Sequence, residues 1–258
     1  VFVDTAASVD FSATLIAENA AFAELLRDAE LAMPVPSCPG WTLDQLMRHV
    51  GRGDRWCAQI VAERSSENID PRTVSDGKPP ADPDGRVGWL HDGPQRLIDA
   101  VAHSGPDTEV WTFLGPRPAA WWIRRRLHET AVHRADAALA LGAPFEIDPT
   151  VAADGITEYL ERVVIRAGQS SELPLDAGQS LHLHATDAAL GVPGEWTILG
   201  RPDGIVFDHA HTKAGTALRG PARDLLLAVV RRGEPADLGL EMFGDPEVWD
   251  AWLARTPF

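Results

Sequence analysis

The spacing of apolar residues changes once along this chain, and that change limits what the chain can fold into. Up to Leu141 the apolar residues recur every three or four positions; beyond Pro149 runs of that kind are interspersed with short alternating ones bounded by Gly and Pro. The first spacing lays a stripe along a helix, and the second lays one face on a strand. Phe145-Glu146-Ile147-Asp148-Pro149 separates the two textures. The expectation is an α+β chain: a four-helix bundle over residues 1–147, then a small α+β domain with an antiparallel sheet over 148–258. With 258 residues, each part can bury a core of its own.

Punctuation within the first half divides it into four helices. Asp10 caps a run through residue 32, ended by Pro34. Thr42 and Gln45 form a capping box ahead of Leu46, Met47, Val50, Cys57 and Val61. Residues 64–87 are rich in Pro, Asp, Gly and Ser and read as a long loop. A third helix is expected over 87–103, with Pro94 as its start or a kink. After an irregular stretch at 105–118, a fourth runs to Leu141, stopped by Gly142. In the second half the pattern predicts a helix over 150–167. Strands follow at 181–185, 196–199 and 204–207, then a helix at 221–232, a strand at 238–241 and a last helix from Asp245.

The candidate chemistry lies on the fourth helix. Glu129 and His133 are four residues apart, so both project from one face, one turn apart, as a two-donor claw for a divalent metal. By itself such a pair is common helix surface. His49, at the edge of the buried face of the second helix, is the best candidate for a third ligand; on residues alone a histidine there reads more often as a satisfied core residue than as a ligand. Two histidines and a glutamate would leave a coordination position open for chemistry.

Charge and cysteine content exclude other readings. The formal net charge is −15, and the only lysines are Lys78 and Lys213, so no basic stripe exists for a phosphate backbone. No apolar run is long enough for a membrane span. Residues 1–10 carry two Asp and no basic cluster, unlike a signal peptide. Two cysteines, Cys38 and Cys57, suit free thiols in a reducing compartment, and cytoplasm is the expected location.

Cys38-Pro39-Gly40-Trp41-Thr42, followed by His49, and His128-Glu129-x-x-x-His133-Arg134-x-Asp136 together resemble the mycothiol-dependent maleylpyruvate isomerase family. The second half resembles that family's C-terminal domain through Leu181–Asp187, Gly194-Glu195-Trp196, Arg219–Leu226 and Phe243–Pro246. The resemblance spans nearly the whole chain. It implies a DinB-like bundle, a zinc ion held by His49, Glu129 and His133, and mycothiol, the low-molecular-weight thiol of actinobacteria, as co-substrate.

The chemistry follows from thiol acidity. A free thiol, with a pKa of about 8.5, is only about 3% ionised at pH 7. A zinc with one position open would bind it as thiolate, ready to attack a small electrophile. Keeping the sulfur gives S-transfer; addition, bond rotation and expulsion give cis–trans isomerisation of a maleylpyruvate-like substrate. The alternatives are a metal-dependent hydrolase using zinc-bound water, and a non-catalytic small-molecule binding module.

Supporting roles fall to neighbours. Asp136 can accept the other ring N–H of His133, or can be a surface carboxylate paired with Arg134. Arg126, one turn before Glu129, either faces the same pocket as a substrate-binding group or belongs to a solvated Arg124–Arg126 run. Arg219 is the candidate for binding an anionic substrate across a cleft between the domains. His182 and His184 share one strand face and read as an exposed or interface pair. Trp56, Trp121 and Trp122 read as core and pocket wall. No partner beyond mycothiol and the electrophile is expected, and oligomeric state is left open.

Overall fold

The computed structural model describes residues 9–169 and 172–256. The reading of the N-terminus rests mostly on residues 1–8 and falls outside them. The described chain forms two compact units, residues 10–145 and 146–256.

In the first unit, four helices pack as a bundle: α1 (Phe11–Leu26), α2 (Leu43–Ala62), α3 (Pro83–Ser104) and α4 (Trp121–Leu141). α1 lies against α3 and α4, and α2 against the same two. Phe22, Leu43, Leu46, Met47, Val50 and Leu90, all nearly inaccessible, form the middle of one core cluster. Each start has its local cause. Asp10 accepts from Ala13 N, and Thr42 and Gln45 complete both halves of the expected box. Gly142, left-handed at φ 62°, ends α4.

α1 stops six residues short of the expected end. Beyond Leu26 the backbone bonds elsewhere: Leu43 N donates to Met33 O, Asp44 N to Leu31 O and Val35 N to Trp41 O, each at 2.9 Å. Residues 31–35 thus run alongside the entry to α2 instead of extending α1. α3 begins earlier than expected, because Asp82 caps Gly85 N at 2.7 Å and Pro83 takes the first helical position. Pro94 is buried inside the helix. Residues 105–118, expected to be irregular, include a two-strand ribbon, β1 (Glu109–Val110) with β2 (Arg117–Pro118).

The second unit is α+β. It contains α5 (Pro149–Ala167), β3 (Ser180–Ala185), β4 (Glu195–Arg201), β5 (Gly204–Asp208), β6 (Thr216–Gly220), α6 (Ala222–Val229), β7 (Glu241–Gly244) and α7 (Pro246–Arg255). The sheet order is β5-β4-β3-β6-β7. Neighbours are antiparallel except β3 and β6, which pair in parallel with Leu183 opposite Leu218. β6 is absent from the sequence reading: its five residues are short and end in Arg-Gly, which reads as the approach to a helix. β7 starts at Glu241 because residues 234–240 close helical turns, Leu238 N to Glu234 O and Leu240 N to Pro235 O.

One sheet face is apolar. Leu181, Leu183, Trp196, Ile198 and Leu218 are all fully buried. Trp196 Nε1 donates to Thr157 Oγ1 of α5, which fixes that face against the helix. The alternate residues His182, His184, Glu195 and Arg219 take the opposite face.

Candidate active site

Residues 38–41 set up the site. Trp41 N donates to Cys38 O at 2.9 Å across Pro39 and Gly40, with Gly40 at φ +83°. Proline second and a positive-φ glycine third is the type II turn pattern, so this motif has a conformational reason. The turn brings Ser37, Cys38 and Trp41 against α4. Ser37 Oγ donates to Asp136 Oδ1 at 2.6 Å, and Cys38 Sγ lies 3.4 Å from Asp136 Oδ2.

His49 on α2 meets Glu129 and His133 on α4. Their ligand-capable atoms lie within 4.8 Å of one another. His49 Nε2 is 2.9 Å from Glu129 Oε1. The two imidazoles stand edge to face, centroids 5.0 Å apart. Trp41 packs against both rings, at 5.1 Å from His49 and 6.4 Å from His133. His49 is not a core histidine: its side chain is 41% exposed.

Asp136 is fully buried and lies 2.8 Å from His133 Nδ1. An ionised carboxylate can only accept, so the Nδ1 proton points to Asp136 and Nε2 keeps its lone pair for a ligand. Arg134, the alternative partner for Asp136, instead donates to both oxygens of Glu18, at 2.7 and 3.0 Å. Burial pushes the His133 imidazole below its ordinary pKa, and Asp136 offsets this only in part. The ring is therefore neutral near pH 7, the form that binds metal.

Arg126 is buried, not part of a solvated run: it is 2% exposed. Its Nε donates to Asp54 Oδ1 at 2.8 Å, Nη2 to Val50 O at 2.9 Å, and Nη1 pairs with Glu129 Oε1 at 2.7 Å. Burial alone would raise the Glu129 carboxyl, but Arg126, His49 and Arg125 hold it well below the usual carboxylate range. Glu129 stays ionised. Gly53 makes room for this cation, since a Cβ there would sit 2.6 Å from Arg126 Nη1.

The sequence reading missed Asp54, Trp41 and the Ser37–Cys38 contacts. Asp54 had a signal, because it falls four residues after Val50 and three before Cys57 on the buried stripe of α2. A carboxylate there needs a cation.

His49, Glu129 and Arg126 open onto a cavity of about 510 Å3, walled by Trp41, Trp56 and Trp122 with Arg48 and Arg52 also lining it. Trp121 packs edge-on against Trp122, centroids 5.0 Å apart. Arg219 lies in the other unit on β6, half exposed and ion-paired with Glu241.

The model of the mycothiol maleylpyruvate isomerase N-terminal domain matches residues 12–138, and that of the MDMPI C-terminal domain matches 150–251. The chain belongs to the mycothiol-dependent maleylpyruvate isomerase family. Its fold agrees with a crystal structure of the mycothiol-dependent maleylpyruvate isomerase at TM-score 0.60, 16% identity, covering 87% of this chain and 89% of that one. A histidine-to-alanine mutant of that enzyme superposes at TM-score 0.58, again at 16% identity, covering 86% and 87%. Two curated relatives, both uncharacterized proteins of Mycobacterium tuberculosis, are 31% identical over 147 residues, 52% of this chain and 69% of theirs. Membership in the maleylpyruvate isomerase family makes this chain an enzyme of the mycothiol-dependent kind. No helix among its described residues is long and apolar enough to cross a membrane.

Proposed function

We propose that this enzyme is zinc-dependent and uses mycothiol as a thiolate against a small acidic electrophile, with cis–trans isomerisation of a maleylpyruvate-like substrate as its reaction. The observation that carries this reading is the convergence of His49, Glu129 and His133 beside an open cavity. Two neutral imidazoles and one carboxylate fit zinc and leave it a net positive charge. Zinc bound there would supply the charge that lets a thiol lose its proton near neutral pH.

The chain's own residues do the positioning. Asp136 fixes the His133 tautomer, and Arg126 holds Glu129 ionised and in place. Trp41, Trp56 and Trp122 give the cavity apolar walls, while Arg48 and Arg52 offer cations to a substrate carboxylate. Addition of the sulfur to the substrate double bond leaves a single bond free to rotate. Expulsion of the thiolate then restores the double bond in the other geometry. In the second unit Arg219 is the residue we assign to binding an acidic group of the substrate. Cys38 and Cys57 form no disulfide, which suits the cytoplasmic location expected from the sequence. A DinB-like ancestry for the bundle accords with ligands drawn from its second and fourth helices.

The test is isomerisation of maleylpyruvate by the purified protein with and without mycothiol. Turnover only with the thiol, lost in His49→Ala and His133→Ala variants that still fold by circular dichroism, supports the reading. Thiol-independent hydrolysis would replace it with a hydrolase.

A further inference from the structure

The second unit brings together four metal-binding side chains that the proposed chemistry does not use. On the polar face of the sheet, His182 and His184 of β3 stand beside Glu195 of β4, with His184 directly opposite Glu195 in register. The segment after β5 adds His211. His182 Nε2 lies 2.6 Å from Glu195 Oε2; His184 Nδ1 and His211 Nδ1 lie 2.8 and 3.0 Å from Oε1. The three imidazoles are mutually edge to face, centroids 5.3 to 6.0 Å apart.

The placement of His211 is built. Thr197 Oγ1 donates to Ala210 O at 2.8 Å, and His209 Nδ1 lies 3.0 Å from Glu195 O, so the two residues before His211 are tied to β4. Sequence reading had only the His182/His184 pair, because Glu195 and His211 are distant in sequence and join it through strand pairing.

We propose that His182, His184, Glu195 and His211 form a second divalent transition-metal site, separate from the one on the bundle. The four ligand atoms lie within 4.8 Å of one another. Three imidazoles and one carboxylate suit zinc, and four protein donors fill its tetrahedron, the mark of a structural site rather than one with a position left open. Three imidazoles turn ring nitrogens toward the two oxygens of one carboxylate, and one cation between the four groups would take a lone pair from each of them. His182 and Glu195 are nearly buried, whereas His211 is 74% exposed, which gives an ion a route in. The ion would clamp the segment around residues 209–211 onto the sheet beside Arg219, which faces His184 across the parallel pairing.

The experiment is zinc binding to metal-free full-length protein, with bound equivalents counted in wild type, a His49→Ala/His133→Ala double variant and His211→Ala. The double variant, folded by circular dichroism, is expected to keep one equivalent and a zinc-induced rise in melting temperature. His211→Ala changes an exposed position and needs no refolding of the core. It should weaken one equivalent by about tenfold at the least and leave the other unchanged. No zinc on the folded double variant, or His211→Ala binding zinc as wild type does, would overturn the site. Loss of the bundle equivalent alone bears on the proposed function and leaves this inference standing.

Discussion

His133 and Asp136 are joined by a 2.8 Å contact between Nδ1 and Oδ2, with Asp136 fully buried and Ser37 and Cys38 gathered on the same carboxylate. One residue therefore orients the proposed metal ligand His133 and docks the turn that carries Trp41. Asp136→Asn keeps the shape and removes the charge. Zinc affinity at the bundle site should fall about 10- to 100-fold, measured by competition with a chromogenic chelator. Unchanged affinity would mean Asp136 only anchors the turn.

Gly53→Ala tests how tightly Arg126 is held. The new Cβ would fall 2.6 Å from Nη1 of a guanidinium already pinned by Asp54 and Val50 O. Since the cation cannot yield freely, a loss of about 1–3 kcal/mol is expected, along with weaker zinc binding through Glu129. Thermal unfolding of metal-free protein checks the first, and the chelator assay the second.

Arg126→Met leaves Asp54 buried without its cation. Breaking a buried pair on one side costs about 3–5 kcal/mol, and replacing both partners costs far less. Asp54→Leu added to Arg126→Met should therefore recover much of the loss in urea unfolding. Asp54 accepts from Arg126 through Oδ1 only, its Oδ2 has no hydrogen-bond partner, and burial raises its pKa. A double variant no better than the single one would place the cost in Glu129 instead.

The only tyrosine, Tyr159, reports on the second unit. Its hydroxyl donates to Thr256 O at 3.2 Å, and burial raises its pKa above the ordinary 10. A raised folded pKa means that this stabilisation is whole below pH 10 and disappears as pH climbs through the folded value. Tyr159→Phe should cost about 0.5–1.5 kcal/mol at neutral pH, and the difference should shrink above pH 10. Tyrosinate absorbance gives the folded pKa directly; a titration at the ordinary value would show the hydroxyl to be solvated.

Much of this was readable because local rules and tertiary structure agree in the bundle. The Thr42–Gln45 box and Gly142 act within one turn of themselves, and Glu129 with His133 needs only the helical period. The same rules failed where distant backbone took over. α1 was read too long because residues 31–35 bond to 41–44. The parallel pairing of β3 with β6 joins strands with two others between them in sequence. Arg126 read either as a pocket group beside Glu129 or as part of a solvated arginine run, because Asp54, the partner that buries it, sits on another helix. His211 carried no signal, since only the register of the sheet brings it to Glu195.

The most direct test of the central claim is the spectrum of cobalt-substituted protein titrated with mycothiol. A thiolate bound at the His49, Glu129 and His133 site should give a sulfur-to-cobalt charge-transfer band in the near ultraviolet, saturating at one thiol per chain. The band should be absent from a folded His133→Ala variant. A cobalt-loaded wild type that shows no such band with excess mycothiol would contradict thiolate activation at this site.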